Sequence, residues 1–191
     1  MKILCVLGSP RREGNSATIA KRFIDTVKSL GAEVQVYELN RMNYRGCQGC
    51  GSCKTKTDKC ATRDDLTQVL EAVPEADVIL IASPVYYQEV PGQVKCFLDR
   101  LYSFMPPNYL QTGAASRVPV GKKVVFITTQ GAPETAMAEL ATRYSNMFKR
   151  VLGAGEVRTL RAGGVGGGGV VINVPEKYLQ QAEELARAVC A

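Results

Sequence analysis

Short β-branched apolar runs alternate with longer segments of helical period five times along the chain, and this alternation limits the fold more than any single residue does. Lys2 to Leu7 reads as a strand and stops at Gly8-Ser9-Pro10, a turn signal. Asn15 stands where a helix cap is expected, before Ser16–Leu30, in which Ile19, Phe23, Ile24, Val27 and Leu30 recur at helical spacing and Gly31 supplies the stop. Val34–Leu39 predicts a second strand, followed by a cysteine-rich loop at about 45–62 and a helix over Asp64–Val73. Val78–Ala82 is apolar throughout, as a central parallel strand covered on both faces should be. A helix from Pro91 through Leu101, a strand over Lys123–Thr128 and a helix over Glu134–Leu152 come next. A weaker strand over Val157–Leu160 and a helix over Pro175–Val189 complete the order. Ser103–Pro119, carrying Pro106-Pro107, is an irregular excursion.

Such alternation specifies an α/β fold: a doubly wound parallel sheet with helices on both faces. Five strands suit the flavodoxin-like order 2-1-3-4-5, expected as a single domain over residues 1–191. Ligands in such sheets bind beyond the carboxyl ends of the strands, where the strand order reverses. The loops after Leu7, Ala82 and Thr128 are therefore where binding residues are expected.

Composition removes several function classes. Hydrophobic residues at 46% and charged residues at 22% lie in the globular range and exclude a disordered chain. No apolar run approaches the roughly 18 residues of a membrane span, and no charged leader precedes the first strand, so a soluble, cytoplasmic protein is expected. Histidine is absent, which removes serine–histidine triads and histidine-rich metal sites. The net charge of +6 is spread along the chain without interleaved aromatics, a pattern that argues for an anionic cofactor and against nucleic acid.

The first loop, Gly8-Ser9-Pro10-Arg11-Arg12-Glu13-Gly14-Asn15-Ser16, joins a buried strand to a helix N-terminus, where free backbone N–H groups and the helix dipole attract an anion. Ser9, Ser16, Asn15 and Arg11 add side-chain donors suited to a phosphate monoester. The loop is neither a Walker A sequence nor a G-x-G-x-x-G dinucleotide turn.

Gly-Ser-Pro-Arg followed by Gly-Asn-Ser resembles the phosphate loop of the NADPH-dependent FMN reductase group of the flavodoxin-like superfamily. Ser83-Pro84-Val85-Tyr86-Tyr87, with the helix ending Phe97-Leu98-Asp99-Arg100, resembles that group's second flavin-contacting segment. The resemblance runs from Met1 to about Gln130. It implies that Ser9, Arg11, Asn15, Ser16 and Ala17 hold the FMN phosphate and ribityl chain. It implies further that Pro84, Val85, Tyr86 and Tyr87 meet the isoalloxazine edge, and that Thr129 and Gly131 close the third loop.

Seven cysteines include four in the spacing C-x2-C-x2-C-x6-C: Cys47, Cys50, Cys53 and Cys60. The first three match a compact ferredoxin run, although Ala61 stands after Cys60 where that run has proline. In position and spacing the run also resembles the iron–sulfur flavoprotein branch of the same group, which implies a [4Fe–4S] cluster. A structural zinc on four thiolates and unmetallated thiols remain open beside it. Arg45, Lys54, Lys56, Lys59 and Arg63 surround the run and suit a four-thiolate cluster of about −2 charge. Cys5, Cys96 and Cys190 read as packing or incidental residues.

A formal G-x-G-x-x-G at Gly164, Gly166 and Gly169 leads into Val170-Val171-Ile172-Asn173, which opens no helix, so it reads as a flexible loop. The resulting expectation is an FMN-dependent redox protein that moves electrons between a reduced donor (ferredoxin or NAD(P)H), a [4Fe–4S] cluster and FMN, as a homodimer or homotetramer. No catalytic side-chain base is expected, since the cofactor carries the chemistry. The alternatives are an NAD(P)H-dependent FMN or quinone reductase without a cluster, and a non-catalytic module with structural zinc.

Overall fold

Each of the five apolar runs forms a strand in the computed structural model, which describes residues 1–166 and 173–191. They are β1 (Lys2–Leu7), β2 (Glu33–Glu38), β3 (Val78–Pro84), β4 (Lys122–Thr129) and β5 (Ala154–Ala162), and they pair in parallel in the order β2-β1-β3-β4-β5. The helices are α1 (Asn15–Ser29), α2 (Ser52–Thr55), α3 (Leu66–Glu75), α4 (Gly92–Arg100), α5 (Tyr109–Thr112), α6 (Ala138–Val151) and α7 (Glu176–Cys190). Among the described residues no helix is long and apolar enough to cross a membrane. The last glycine of the formal dinucleotide pattern, Gly169, and the β-branched run at 170–172 lie outside the described residues.

The two-residue period of the strands sorts the apolar side chains into two cores. Ile3, Cys5, Leu80, Val125 and Ile127 face Ile19, Phe23 and Val27 of α1 and Tyr178, Ala182 and Ala186 of α7. Leu4, Val6, Ile79, Ile81, Val124 and Phe126 face Leu66 and Val69 of α3, Val94 and Phe97 of α4, and Tyr144 and Phe148 of α6. Phe126 is the hub of this second core, meeting Tyr144 and Phe148 edge-on with ring centroids 5.6 and 5.5 Å away. Burial in the first core pushes the Cys5 thiol up to about 12, so this cysteine serves packing.

Where element bounds depart from the sequence reading, tertiary bonds explain the difference. The helix expected from Glu134 starts only at Ala138. Gln130 Nε2 takes the carbonyls of Pro133 and Ala136 (2.6 and 3.0 Å), and Arg161 bonds the carbonyls of Glu134 and Ala136. Met137 then turns through left-handed backbone (φ 58°) into α6. α3 starts two residues late, with Asp64 Oδ1 accepting the N–H of its first residue, Leu66 (3.1 Å), and it continues through Pro74 to Glu75. Its terminal carbonyls, of Pro74 and Ala76, receive the buried Lys122 ammonium at 2.6 Å each, a favourable charge at a helix C-terminus. β2 stops one residue early and Leu39 tucks under a 3₁₀ turn, fully buried. The excursion at 103–119 is partly ordered, by a 3₁₀ turn over Leu101–Phe104 and by α5.

Replacing Phe126 by Ala removes the ring that both Tyr144 and Phe148 contact. The expected loss is about 3–5 kcal/mol of unfolding free energy, read from urea denaturation of the purified chain.

Candidate functional site

The sheet order reverses between β1 and β3, and the loops that leave their carboxyl ends separate there. Gly8 N–H still donates to Ala82 O (2.8 Å), so the two strand ends stay in register up to the branch point. A Cβ on Gly8 would fall 2.0 Å from Val94 Cγ2, so only glycine lets α4 approach this closely. On the other side Val85 N–H donates to Thr129 O (2.8 Å), which aligns the third loop with the second.

A cavity of about 420 Å³ opens at this point. Ser9, Arg11, Asn15, Ser16, Pro84, Val85, Tyr86, Tyr87, Thr129 and Gly131 all line it. Ala17 does not; its side chain faces a shallower hollow on the far side of the loop, with Leu7 and Arg12. Its backbone N–H remains one of the unpaired donors of the first turn of α1. Gly14, Gln130, Val165 and Gly166 line the cavity as well, and none of them stood among the expected cofactor contacts.

The side-chain donors of the first loop are distributed differently from the sequence expectation. Ser9 Oγ donates to Arg11 O (2.9 Å) and accepts from Arg11 N–H (3.1 Å), so it closes the loop on itself. Gly14, and not Asn15, occupies the cap position of α1. The Asn15 amide donates instead to Val165 O (3.0 Å), and its buried Oδ1 finds no partner among the described residues. Arg11, Ser16 and the first-turn N–H groups are the donors this loop leaves available, while Asn15 presents an acceptor.

The glycine-rich segment forms a fourth wall. Gly164 N–H donates to Ala132 O (2.9 Å) and Val165 N–H to Gln130 O (3.0 Å), so residues 163–166 lie along the loop after β4. Close backbone approach requires glycine just ahead of the formal dinucleotide pattern, at Gly163, whereas an added Cβ on the pattern's Gly164 would meet open space. A Cβ on Gly163 would sit 2.1 Å from Glu134 N and 2.4 Å from Glu134 Cα.

In the second loop, Tyr86 and Glu89 exchange both backbone bonds (2.8 and 3.1 Å) around Tyr87 and Gln88, which have φ of 49° and 68°. Left-handed backbone at two non-glycine residues costs on the order of 1 kcal/mol each. Glu89 holds the turn, accepting from Tyr144 Oη (2.7 Å), from Val90 N–H (2.8 Å) and from Arg143. Burial and then the Glu89 carboxylate keep the Tyr144 hydroxyl protonated far above its ordinary range. Tyr87 is left wholly exposed at the rim.

The cysteine loop lies against α4 and the excursion. Cys47 and Cys50 are exposed, Cys53 and Cys60 half-buried, and all seven cysteines of the chain are free. Among the described residues no three Cys, Asp, Glu or His side chains are gathered to hold a metal ion. As folded, then, the four thiols do not converge and do not fit a cluster. The Ser52 N–H and hydroxyl at the start of α2 hold the Cys50 thiol below its ordinary range. The cations around the loop bond carbonyls. Lys54 Nζ donates to Tyr102 O and Met105 O (2.6 Å each) and lies 3.9 Å from the Tyr102 ring centre. Arg100, at the end of α4, turns toward this loop and does not line the cavity.

A five-stranded sheet of this order, with a phosphate-type loop at its switch point, defines a flavodoxin-like α/β protein. The chain belongs to the NADPH-dependent FMN reductase family, whose sequence pattern matches residues 1–163. It is 36% identical over 104 residues to an iron-sulfur flavoprotein from Archaeoglobus fulgidus, a match covering 54% of this chain and 47% of that protein. Identity to an iron-sulfur flavoprotein from Methanocaldococcus jannaschii is 32% over 141 residues, covering 73% of this chain and 69% of that protein. The chain thus spans about half the length of the first relative and rather more of the second. In fold it resembles an NAD(P)H:quinone oxidoreductase from Methanothermobacter marburgensis, with a TM-score of 0.77 at 22% identity over 99% of this chain and 96% of the other. An FMN-dependent NADH-azoreductase from Bacillus anthracis, solved with FMN, superposes with a TM-score of 0.75 at 18% identity over 100% and 99%.

Alanine at position 163 would have to push the glycine segment off the backbone of Glu134. The expected cost is about 1–3 kcal/mol of stability, seen as a lower urea midpoint at unchanged slope, with weaker cofactor retention on gel filtration.

Proposed function

We propose that the chain is an FMN-dependent oxidoreductase that draws electrons from NAD(P)H or ferredoxin. The observation that carries this reading is Asn15 Oδ1, a buried acceptor with no partner among the described residues, beside an anion-binding loop. A phosphate dianion has no proton to offer that atom, whereas the hydroxyls of a ribityl chain next to the phosphate do. An unsatisfied buried acceptor is costly, so the site is completed by a ligand with an anion at one end and a polyol behind it. FMN has that form, and when bound it supplies both hydride acceptance and single-electron transfer. Arg11, Ser16 and the first turn of α1 bind the phosphate. Pro84, Val85, Tyr86 and Tyr87 form the edge for the ring system, and Thr129, Gln130 and Gly131 close the third side. No side chain in this set is needed as a proton carrier. A homodimer or homotetramer agrees with the wholly exposed Tyr87, and light scattering measures it directly.

A second element of the proposal concerns the cysteines. Their C-x2-C-x2-C-x6-C spacing and the two relatives named as iron-sulfur flavoproteins support a [4Fe–4S] cluster on Cys47, Cys50, Cys53 and Cys60. Because the thiols are spread in the present fold, uptake requires the loop to rearrange, and the chemistry of the flavin site stands without it.

Fluorescence titration tests the first element. Arg11→Ala is expected to weaken FMN binding by about tenfold, the scale of one charge-assisted hydrogen bond, and to leave riboflavin binding unchanged. Equal loss for both flavins, or no binding of FMN by the folded wild-type chain, refutes the site. Anaerobic purification tests the second element: about four irons and four sulfides per chain are expected. Yellow, iron-free protein would mark a cluster-free FMN or quinone reductase, and colourless protein containing zinc a non-catalytic module. Stopped-flow reduction by NADPH, NADH and reduced ferredoxin then identifies the donor.

A further inference from the structure

β5 forms one edge of the sheet and is its longest strand, and among the described residues no strand pairs with its outer side. Such an edge presents a row of N–H and C=O groups that another strand can use. Alternation decides which residues present them. Gln130 N–H donates to Ala162 O (2.9 Å), so the even-numbered residues turn their backbone groups inward to β4. Val157, Thr159 and Arg161 turn theirs outward. The register shift of the β4–β5 pair falls at Lys122/Lys123, and from Glu156 to Ala162 the pairing is regular. Side chains alternate too. Leu160 and Ala162 belong to the first core, with α7, while Val157 packs on the second, so Glu156 and Arg158 share the α7 side. There Arg158 Nη2 donates to Glu156 Oε1 (2.6 Å), with each side chain 39% exposed. Arg158 Nε is buried and has no partner among the described residues. Beside it a hollow of about 500 Å³ opens between β5 and α7, walled in part by Leu160, Gln181 and Glu184. The opposite edge is different in kind: β2 carries Glu33 and Glu38 and no cation.

Two copies of an edge strand can pair antiparallel about a two-fold axis normal to the sheet. Residues directly opposite each other then share a face, so their numbers have the same parity. An axis at Val157 sets Glu156 against the partner subunit's Arg158, and Arg158 against the partner subunit's Glu156. An axis at Glu156 would oppose two glutamates, and one at Arg158 two arginines. An axis at Thr159 would leave Glu156, Arg158 and Arg161 each facing an apolar residue. Opposite charges across a pair stabilise a sheet and like charges directly opposite destabilise it. The strand therefore specifies its own register. At that register Val157 supplies the outward N–H and C=O on the axis. Glu156 and Arg158 fall at the non-hydrogen-bonded positions, where opposed side chains lie closest.

We propose that the outer edge of β5 is a homodimer interface, in which a second copy of this chain pairs antiparallel about Val157 and the two sheets become continuous. Each Glu156 is then held between its own Arg158 and the partner subunit's Arg158, and each Arg158, whose Nε lacks an acceptor, gains a second carboxylate. This assigns a surface to the assembly proposed above and stands without the flavin reading. The cavities lie beyond the carboxyl ends of the strands, so in an antiparallel pair they face opposite ends and the exposed Tyr87 stays uncovered.

The full chain, its Glu156→Arg and Arg158→Glu variants and the double reversal are compared by sedimentation equilibrium at concentrations up to about 1 mM, which reaches weak association. Amide hydrogen exchange over residues 156–160 of the wild type is followed across the same range. The wild type is expected to dimerise, with the Val157 and Thr159 amides gaining protection as concentration rises. Each single reversal opposes like charges on both sides of the axis and is expected to weaken the dimer about 100-fold. The double reversal restores both pairs and with them the dimer. A wild type that stays monomeric overturns the proposal. So does a dimer that neither single reversal weakens, or one in which the Val157 and Thr159 amides exchange at the same rate at every concentration. If a single reversal loses its circular dichroism it has failed to fold, and exchange in the wild type decides. A wild type that binds no FMN refutes the flavin site alone, because both measurements are made without it.

Discussion

A parallel sheet whose strand order reverses must leave a gap beyond the carboxyl ends of the two strands at the reversal, since their connections depart to opposite faces. Here those strands are β1 and β3, and α1 leaves toward one core while α4 packs in the other. The gap concentrates backbone N–H groups without helical or sheet partners, which draws an anion. Gly8 sets how tightly it can be made: with any side chain there, Val94 and α4 would be pushed outward and the loops after β1 and β3 would separate. The candidate site is thus a consequence of topology, refined by one absent Cβ.

Away from the sheet, order is maintained by cations that bond carbonyl groups. Lys122 takes two carbonyls at the end of α3, Lys54 two in the 102–105 turn, Arg117 carbonyls on both sides of a seam, and Arg100 the two ends of the cysteine loop. In each case irregular backbone has too few N–H partners of its own, and a long basic side chain provides several donors from one point. This accounts for part of the basic surplus, which the sequence alone had assigned to an anionic ligand. Lys54, expected to offset a cluster's charge, is engaged with Tyr102 and Met105 instead.

The elements legible in the sequence were those governed by local periodicity and turn chemistry: the strand order, both layers of helices, and the loops carrying Ser9 to Ser16 and Pro84 to Tyr87. What stayed hidden depends on partners distant in sequence. Asn15 looked like a helix cap and a phosphate donor, yet its amide is consumed by Val165, 150 positions away. Gly163 to Gly166 looked like a false dinucleotide signal, because the requirement for glycine comes from the backbone of Glu134 and not from a phosphate. The late start of α6 follows from Gln130 and Arg161 occupying carbonyls that no local pattern marks as taken. Arg100 was read as the end of a flavin-contacting helix, and only the packed neighbours turn it toward Thr62 and Asp64.

The cysteine loop is closed by bonds that involve no sulfur. Among the described residues its thiols stand apart, Cys47 and Cys50 exposed and Cys53 and Cys60 half-buried. A loop pays for closure in the freedom of its whole length. Arg100 makes that closure by holding residues 45 and 62–64 at one point. What remains free is the short stretch holding the two exposed cysteines, where Gly49 and Gly51 keep the backbone adaptable.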